Sequence, residues 1–571
     1  MEFEKYSIIL IILSVVFILI VIKFKLISKV INSLPIIHKY LFRLRSRFKR
    51  KHYQHYFYGV ELYNEHPNIF GKKYLKLNNY LFRLNPVNKI IKKNLKKKFS
   101  KIIIIFASKY SNYFRYVLDN LKFNRNVDKN AVNFFKLNVQ NKTTIKMQLN
   151  TNDHILKQFY ILKKSKKKLV LILLVDGLSN YFSNGFFKTK KYFSSSNKLE
   201  NVWSNSAWTL PTWSNLITGN YTSRHLNYAP RSYYNSNPSD EEISTSIKSK
   251  FTLSEFFKKS NFITASYSPY PRINPTYNFD RGFDIMRYCE NQNNSEILED
   301  ITSHIELFND SSNFILAHLM DMHHLAKGYK MLGDFAYFPD GNYDYHTNTE
   351  RKHLQKNFSE KDEFIAPKNF YEEKDLEGII KSTDQKLSYF FNYLSNKKFD
   401  DFTFILLGDH GTRIQKFSSN GNILTDNHQN IGFFIKDKKT KSFASKKNKI
   451  IETIDIFPSL VSRYTNNQSK KIQDYCDGKN TIFSKQKKEC HIAESIYGAE
   501  YDLLFKFKKN YLITNYKIDN NLIKKKIKSE ILSNKKKLIK FNKKNKVIKK
   551  LNSIEEQHIK NSNLKIYEKK N

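Results

Sequence analysis

The chain has 571 residues, with 98 Lys and Arg against 52 Asp and Glu for a formal net charge of +46, and it contains three cysteines. That length suits one large α/β core with a smaller unit beside it, and so few cysteines exclude a disulfide framework. The charge invites nucleic acid, but the lysines are spread along the whole chain and are dense only at 92–98, 163–168 and beyond Lys524. No nucleic-acid fold signature accompanies them, so nucleic acid is not an expected partner.

In chain order, Tyr6 to Ile22 comes first, an uncharged and almost wholly apolar run whose 17 residues meet the lower limit for a membrane span. Lys23 and Lys25 follow it and can snorkel. The basic residues come after the apolar run and no small-residue cleavage site is evident, so the expectation is an uncleaved anchor over 1–28 and a single-pass protein with the lipid bilayer as partner. Arg43, Arg45, Arg47, Lys49, Arg50 and Lys51 follow, against Glu2 and Glu4 before the span, and the positive-inside rule then puts the large domain on the cytoplasmic side. A basic, aromatic-rich region continues over 29–168, with one apolar strand candidate at Ile102 to Phe106.

Leu169 to Val175 is continuously apolar, reads as a buried parallel strand, and stops at Asp176-Gly177. Ser206 to Gly219 then presents Thr209 two residues before Pro211, at the start of a short apolar segment ending in glycine, the pattern of a hydroxyl at a helix N-terminus. Free backbone N–H groups there favour an anion; taken alone, the stretch reads equally well as an ordinary capped helix. Thr252-Leu253-Ser254-Glu255 is a capping box. Phe314 to Leu319 reads as a second strand ending near Asp321-Met322-His323-His324. Ile379, Ile380, Thr383, Leu387, Phe390, Phe391 and Leu394 give one apolar helical face before a third strand, Phe402 to Leu407, which runs into Gly408-Asp409-His410-Gly411. Past Leu460, Leu503 to Phe507 and Tyr511 to Tyr516 read as a hairpin, and the lysine-rich segment from Lys524 as an amphipathic helix or a tail. Cys476 and Cys490 are close enough in sequence to pair if the domain lies outside the cytoplasm.

Open α/β sheets bind ligands at the carboxyl ends of their strands, so the acidic strand ends and Thr209 point at one place. A threonine hydroxyl is a poor nucleophile at neutral pH and needs a base or a metal that stabilises the alkoxide. Asp176, Asp409 and His410 supply ligands suited to Zn²⁺ or Mn²⁺. With Thr209 they are expected to surround one ion, and Thr209 to carry a covalent phosphoryl group that water or an alcohol then releases.

These landmarks resemble the alkaline phosphatase and sulfatase superfamily from about Leu169 to Leu460. Val175-Asp176-Gly177, the Thr209 to Gly219 segment, Gly282-Phe283-Asp284, the helix around Asp384, Gly408 to Gly411 and Thr453 to Leu460 come in the family's order. The resemblance implies an α/β fold with a mixed, mostly parallel central sheet flanked by helices and a small C-terminal sheet. It implies a catalytic core over 169–465 and a C-terminal subdomain with a lysine-rich tail over 466–571. Sulfatases carry a cysteine or serine that becomes formylglycine, with an arginine four residues on; Thr209 and Trp213 stand at those positions here. Threonine is similar instead to the nucleotide pyrophosphatase/phosphodiesterases and to the phosphoethanolamine and phosphoglycerol transferases. The implied activity is metal-dependent phosphodiester cleavage, or transfer of a phospho-alcohol group, on a phosphate-bearing lipid or glycan. Sulfate ester hydrolysis and non-catalytic binding of an anionic glycan or lipid are the alternatives. For the rest of the site two patterns stay open: Asp321, His324 and His428 around a second ion, or Asp321-Met322-His323 with that histidine touching substrate. His428 reads otherwise as a surface loop residue, and Arg413 either as a fork onto a phosphate or as a rim residue. The membrane-bound transferases of the superfamily face outward, against the charge argument, so the side of the membrane stays open too.

Overall fold

The computed structural model describes strands between 74 and 163 and, apart from short gaps, residues 166–228, 247–322, 373–411, 424–464, 474–533 and 546–566. All fall within one unit, Leu62–Asn571; the other unit, Met1–Glu61, lies outside the described residues. Eight strands make the main sheet: β1 (Tyr74–Leu77), β2 (Tyr80–Leu84), β3 (Lys168–Val175), β4 (Ile263–Ser268), β5 (Ile285–Cys289), β6 (Asn313–Leu319), β7 (Asp401–Gly408) and β8 (Phe433–Asp437). Their spatial order is β1-β2-β5-β4-β6-β3-β7-β8, parallel from β5 to β7 and antiparallel toward both edges. The helices used below are α1 (Phe187–Phe193), α2 (Thr209–Thr218), α3 (Leu253–Lys259), α4 (Asn294–Leu307), α5 (Glu373–Ser395), α6 (Ile456–Tyr464) and α7 (Lys546–Asn561).

The apolar run of β3 needs cover on both faces, and its place inside the sheet provides it. Side chains alternate along a strand. Val170, Ile172 and Leu174 therefore enter one core with α2, α3 and α6, while Leu169, Leu171, Leu173 and Val175 enter a second with α4 and α5. The residues expected to form an apolar face on α5, Ile379 to Leu394, are all buried in the fold, most of them in that second core. The capping box forms as expected: Glu255 N donates to Thr252 Oγ1 and Thr252 N to a Glu255 carboxylate oxygen. The sheet and its two helical layers are thus an α/β fold, mixed and mostly parallel.

Outside this core the chain is more β-rich than its sequence suggests. Between Lys93 and Lys163 a four-stranded and a three-stranded sheet form, and Ile102 to Phe106 is the middle of one of their seven strands, Phe99–Ser108. Polar and basic residues interleave with the apolar ones there and mask the strands. At the C-terminus a five-stranded sheet runs Cys490–Tyr497, Glu500–Phe507, Asn510–Asp519, Leu522–Ser533 and Lys565–Ile566, and it contains the expected hairpin. Leu522–Ser533 is a strand where a helix or tail was expected, because pairing with Asn510–Asp519 overrides its lysine-rich composition, and Lys546–Asn561 is helical.

One expectation is corrected, and the pairing of Cys476 with Cys490, left open by the sequence, is decided. Among the described residues no helix is long and apolar enough to cross a membrane, which overturns the single-pass membrane assignment. Even the 23-residue α5 carries Lys381, Asp384 and Lys386 and is amphipathic rather than apolar all round; Tyr6 to Ile22 itself lies outside the described residues. Cys476 and Cys490 do not pair: both are free, Cys476 being packed against the Gly219 turn and Cys490 standing at the head of a strand.

Buried His304 bonds through its ring to the Tyr267 hydroxyl and to Asn313 Oδ1, and burial pulls its pKa down to about 4. A folded-state value below the unfolded one means stability is complete above about pH 6.5 and is lost as pH falls toward 4. That loss is on the order of 3 kcal/mol. Thermal melts from pH 7 to pH 4.5 should therefore show a steeper fall in Tm for the wild type than for His304→Gln; equal slopes would refute the linkage.

Candidate active site

Strand register brings the acidic residues together. Val175 of β3 pairs with Gly408 of β7, so Asp176 and Asp409 leave neighbouring parallel strands side by side. Asp176 continues the alternation of Val170, Ile172 and Leu174, and Asp409 that of Ile405 and Leu407, which turns both toward the layer containing α2. The close approach depends on Gly408, where a Cβ atom would lie 2.1 Å from the Leu178 carbonyl oxygen. On the facing layer, Thr209 opens α2 after the extended Trp208, and Gly219 ends the helix in the left-handed region at φ 68°.

Thr209 Oγ1 donates to Asp176 Oδ2 at 3.1 Å and lies 3.5 Å from His410 Nε2. Asp409 Oδ1 accepts from the backbone N–H groups of Gly177 at 3.0 Å and His410 at 2.8 Å. Its Oδ2 is buried without a well-aligned donor and faces His410 Nε2 at 3.4 Å. His410 Nδ1 sits 3.0 Å from the Gly411 carbonyl oxygen. A proton on Nδ1 satisfies that contact and leaves the Nε2 lone pair for a cation. Asp176, Asp409 and His410 are all buried, and each offers a ligand atom within 4.8 Å of the others. Two carboxylate oxygens and an imidazole nitrogen fit a divalent ion such as Zn²⁺ or Mn²⁺, and Asp409 Oδ2 is the atom such an ion would satisfy. Burial pushes the Asp409 carboxyl up, yet the adjacent His410 and His318 outweigh it and hold the group well below the usual carboxylate range.

His318 was not anticipated from the sequence. It lies on β6, paired with Leu174, and its Nε2 is 3.3 Å from Asp176 Oδ2 and 3.8 Å from Asp409 Oδ2. Burial alone would lower its pKa, but hydrogen bonding and the charges of the two aspartates raise it to about 9. The signal was available: in Asn313–Leu319 the residues Phe314 and Leu316 face the α2 side, and position 318 is next on that face.

The other expected residues are placed as follows. His428 is buried, its ring 5.1 Å from that of His410, and its carbonyl accepts from Gly411 N. Asp321 does not join the group: Lys386 of α5 reaches its Oδ2 at 2.6 Å and Asn294 N its Oδ1 at 3.1 Å, from the helices on the opposite face of the sheet. Burial raises its pKa and Lys386 opposes that shift. His323, His324 and Arg413 lie outside the described residues. Trp213 is wholly buried, packed edge-on to His318 and Phe279. Two of the landmarks are fasteners: Asp284 accepts from Thr264 on β4, and Asp384 from the Lys188 and Thr189 N–H groups in the first turn of α1.

Residues 186–464 match the family model described as Sulfatase. The comparison with curated proteins gives no match. Similar solved structures include a protein in the alkaline phosphatase superfamily from Vibrio parahaemolyticus, at 15% identity over 69% of this chain and 87% of that one with a TM-score of 0.44. The C-terminal periplasmic domain of a phosphoethanolamine transferase from Campylobacter jejuni is similar at 15% identity over 52% of this chain and 90% of that one, with a TM-score of 0.37. A protein solved in complex with its substrate D-glucosamine-2-N,6-O-disulfate is similar at 11% identity over 70% and 99%, with a TM-score of 0.47. Over residues 186–464, just under half of its length, this chain is thus similar to the Sulfatase family.

Proposed function

We propose that this protein is a metal-dependent hydrolase or transferase of phosphate esters that works through Thr209, with a core over 169–465 and a C-terminal subdomain over 466–571. The observation that carries the reading is the Thr209 hydroxyl at the N-terminus of α2, hydrogen-bonded to Asp176 and beside His410. Asp176, Asp409 and His410 would hold the ion, with Thr209 completing the set. Bound there, a divalent cation would lower the pKa of the hydroxyl and neutralise a phosphoryl oxygen.

The chain's own groups account for the rest. Asp176 Oδ2 takes the hydrogen bond of the hydroxyl and so aims a lone pair of Oγ1 outward. The helix start at Thr209 and Leu210, ahead of Pro211, which has no N–H, favours the anionic phosphoryl oxygens through its backbone N–H groups and dipole. Oγ1 attacks phosphorus, the bond to the leaving alcohol breaks, and that alkoxide departs with the proton given up by Thr209. Water hydrolyses the phosphothreonine, or an alcohol acceptor takes the phospho group. The excess of basic over acidic residues favours an anionic substrate, a phosphate-bearing glycan or lipid headgroup. A sulfate ester is the second reading, supported by the family of the domain. Against it, threonine cannot become formylglycine, and Trp213 fills a buried apolar position where an arginine would be required.

Thr209→Ala should lower turnover of an aryl phosphodiester by at least about 10³-fold while leaving the melting temperature within a few degrees. The wild type should cleave p-nitrophenyl phosphodiesters or monoesters faster than p-nitrophenyl sulfate. Preference for the sulfate, or unimpaired turnover by the alanine variant, would sink the proposal. Chelation should abolish activity, with Mn²⁺ or Zn²⁺ restoring it. Metal at about a hundred times its Kd should stabilise the fold by about 2.7 kcal/mol, and a melt of Asp409→Asn should show no such gain.

A further inference from the structure

We propose that His318 is the positioning residue of this centre, holding the Asp176 and Asp409 carboxylates so that their oxygens converge with His410 Nε2. The proposal rests on the reading of Asp176, Asp409 and His410 as a metal centre. Its basis is the place of the ring. On the α2 side of β6, Phe314 and Leu316 are core residues, and an apolar side chain at 318 would continue them. A fully buried imidazole there costs free energy unless polar groups meet it. Its Nε2 lies 3.3 Å from one carboxylate and 3.8 Å from the other, while Trp213 and Tyr270 close around the ring edge-on at 6.0 and 5.6 Å between centroids. Asp409 Oδ1 accepts from two backbone N–H groups, and Asp176 Oδ2 accepts from the Thr209 hydroxyl with His318 Nε2 3.3 Å away. At that distance the imidazole packs against the Asp176 carboxylate and limits its rotation.

The test is Mn²⁺ binding to the full chain by calorimetry, together with the visible spectrum of the Co²⁺-loaded protein. His318→Gln and His318→Leu are compared with wild type, and Asp409→Asn serves as the control for the centre itself. Expected are a 10–100-fold weaker Mn²⁺ affinity in both His318 variants, a displaced Co²⁺ band from reoriented carboxylates, and loss of binding in Asp409→Asn. Wild-type affinity and an unchanged Co²⁺ band in the His318 variants, with Asp409→Asn still defective, overturn the role of His318 and leave the centre standing. Absence of Mn²⁺ binding by the wild type, or wild-type binding by Asp409→Asn, overturns both. A measurement on the unmutated protein covers variants that do not fold: with ¹⁵N-labelled histidine, Zn²⁺ should shift the His318 ring signals, and unshifted signals overturn the proposal.

Discussion

The structure is organised around the burial of two carboxylates, Asp176 and Asp409, side by side at the ends of adjacent parallel strands with no exposure to solvent. Two like charges in that setting are costly unless hydrogen bonds and cations surround them. The neighbourhood answers that cost group by group: backbone amides of Gly177 and His410, the Thr209 hydroxyl, and the imidazoles of His410 and His318. Several backbone choices serve the same end. Gly408 removes a Cβ that would strike Leu178, and the continuous apolar run of β3 fixes the register that sets Asp176 beside Asp409.

The nucleophile segment is fastened from a distance. Asn205, four residues before Thr209, accepts from Thr453 Oγ1 and Ile454 N ahead of α6 and donates to the Ile492 carbonyl in the first strand of the C-terminal sheet. Buried Glu452 binds Lys488, His491 Nδ1 and Ile492 N, and the Lys488 and His491 contacts draw its carboxyl down to about 2 against the effect of burial. Glu494 gathers Ser223 N, Tyr501 and His558 of α7. The C-terminal sheet reaches the other side of the site too, since Lys506 and Tyr511 hold Asp426, two residues before the His428 that packs on His410. Buried pairs of this kind are weak evidence for net stability, but they fix the position of the Thr209 turn relative to the sheet.

Legibility in the sequence followed the range of the interactions. The strand that ends at Asp176, the one that ends at Asp409, the Thr209 helix and the Thr252 capping box are written in local patterns, apolar runs and caps spanning a few residues. Of the seven strands between Lys93 and Lys163, Phe99–Ser108 was legible through its Ile102 to Phe106 run, while the others mix polar and basic residues irregularly with apolar ones and form through sheet pairing that no local pattern encodes. The strand Leu522–Ser533 was hidden the same way, its lysines suggesting a tail until Asn510–Asp519 pairs with it.

By itself, the sequence determined three central strands of the core, the helices around Thr209 and Leu387, and the acidic residues that follow those strands, because hydrophobic periodicity and turn residues act within a window of about ten residues. Only the tertiary structure decided which polar residues meet. It placed His318 and His428 near His410, gave Asp321 to Lys386 on the other face of the sheet, and left Cys476 and Cys490 apart. The physical reason is that strand order and register set those neighbours. They follow from packing two helical layers on one sheet, and no local run of residues encodes them.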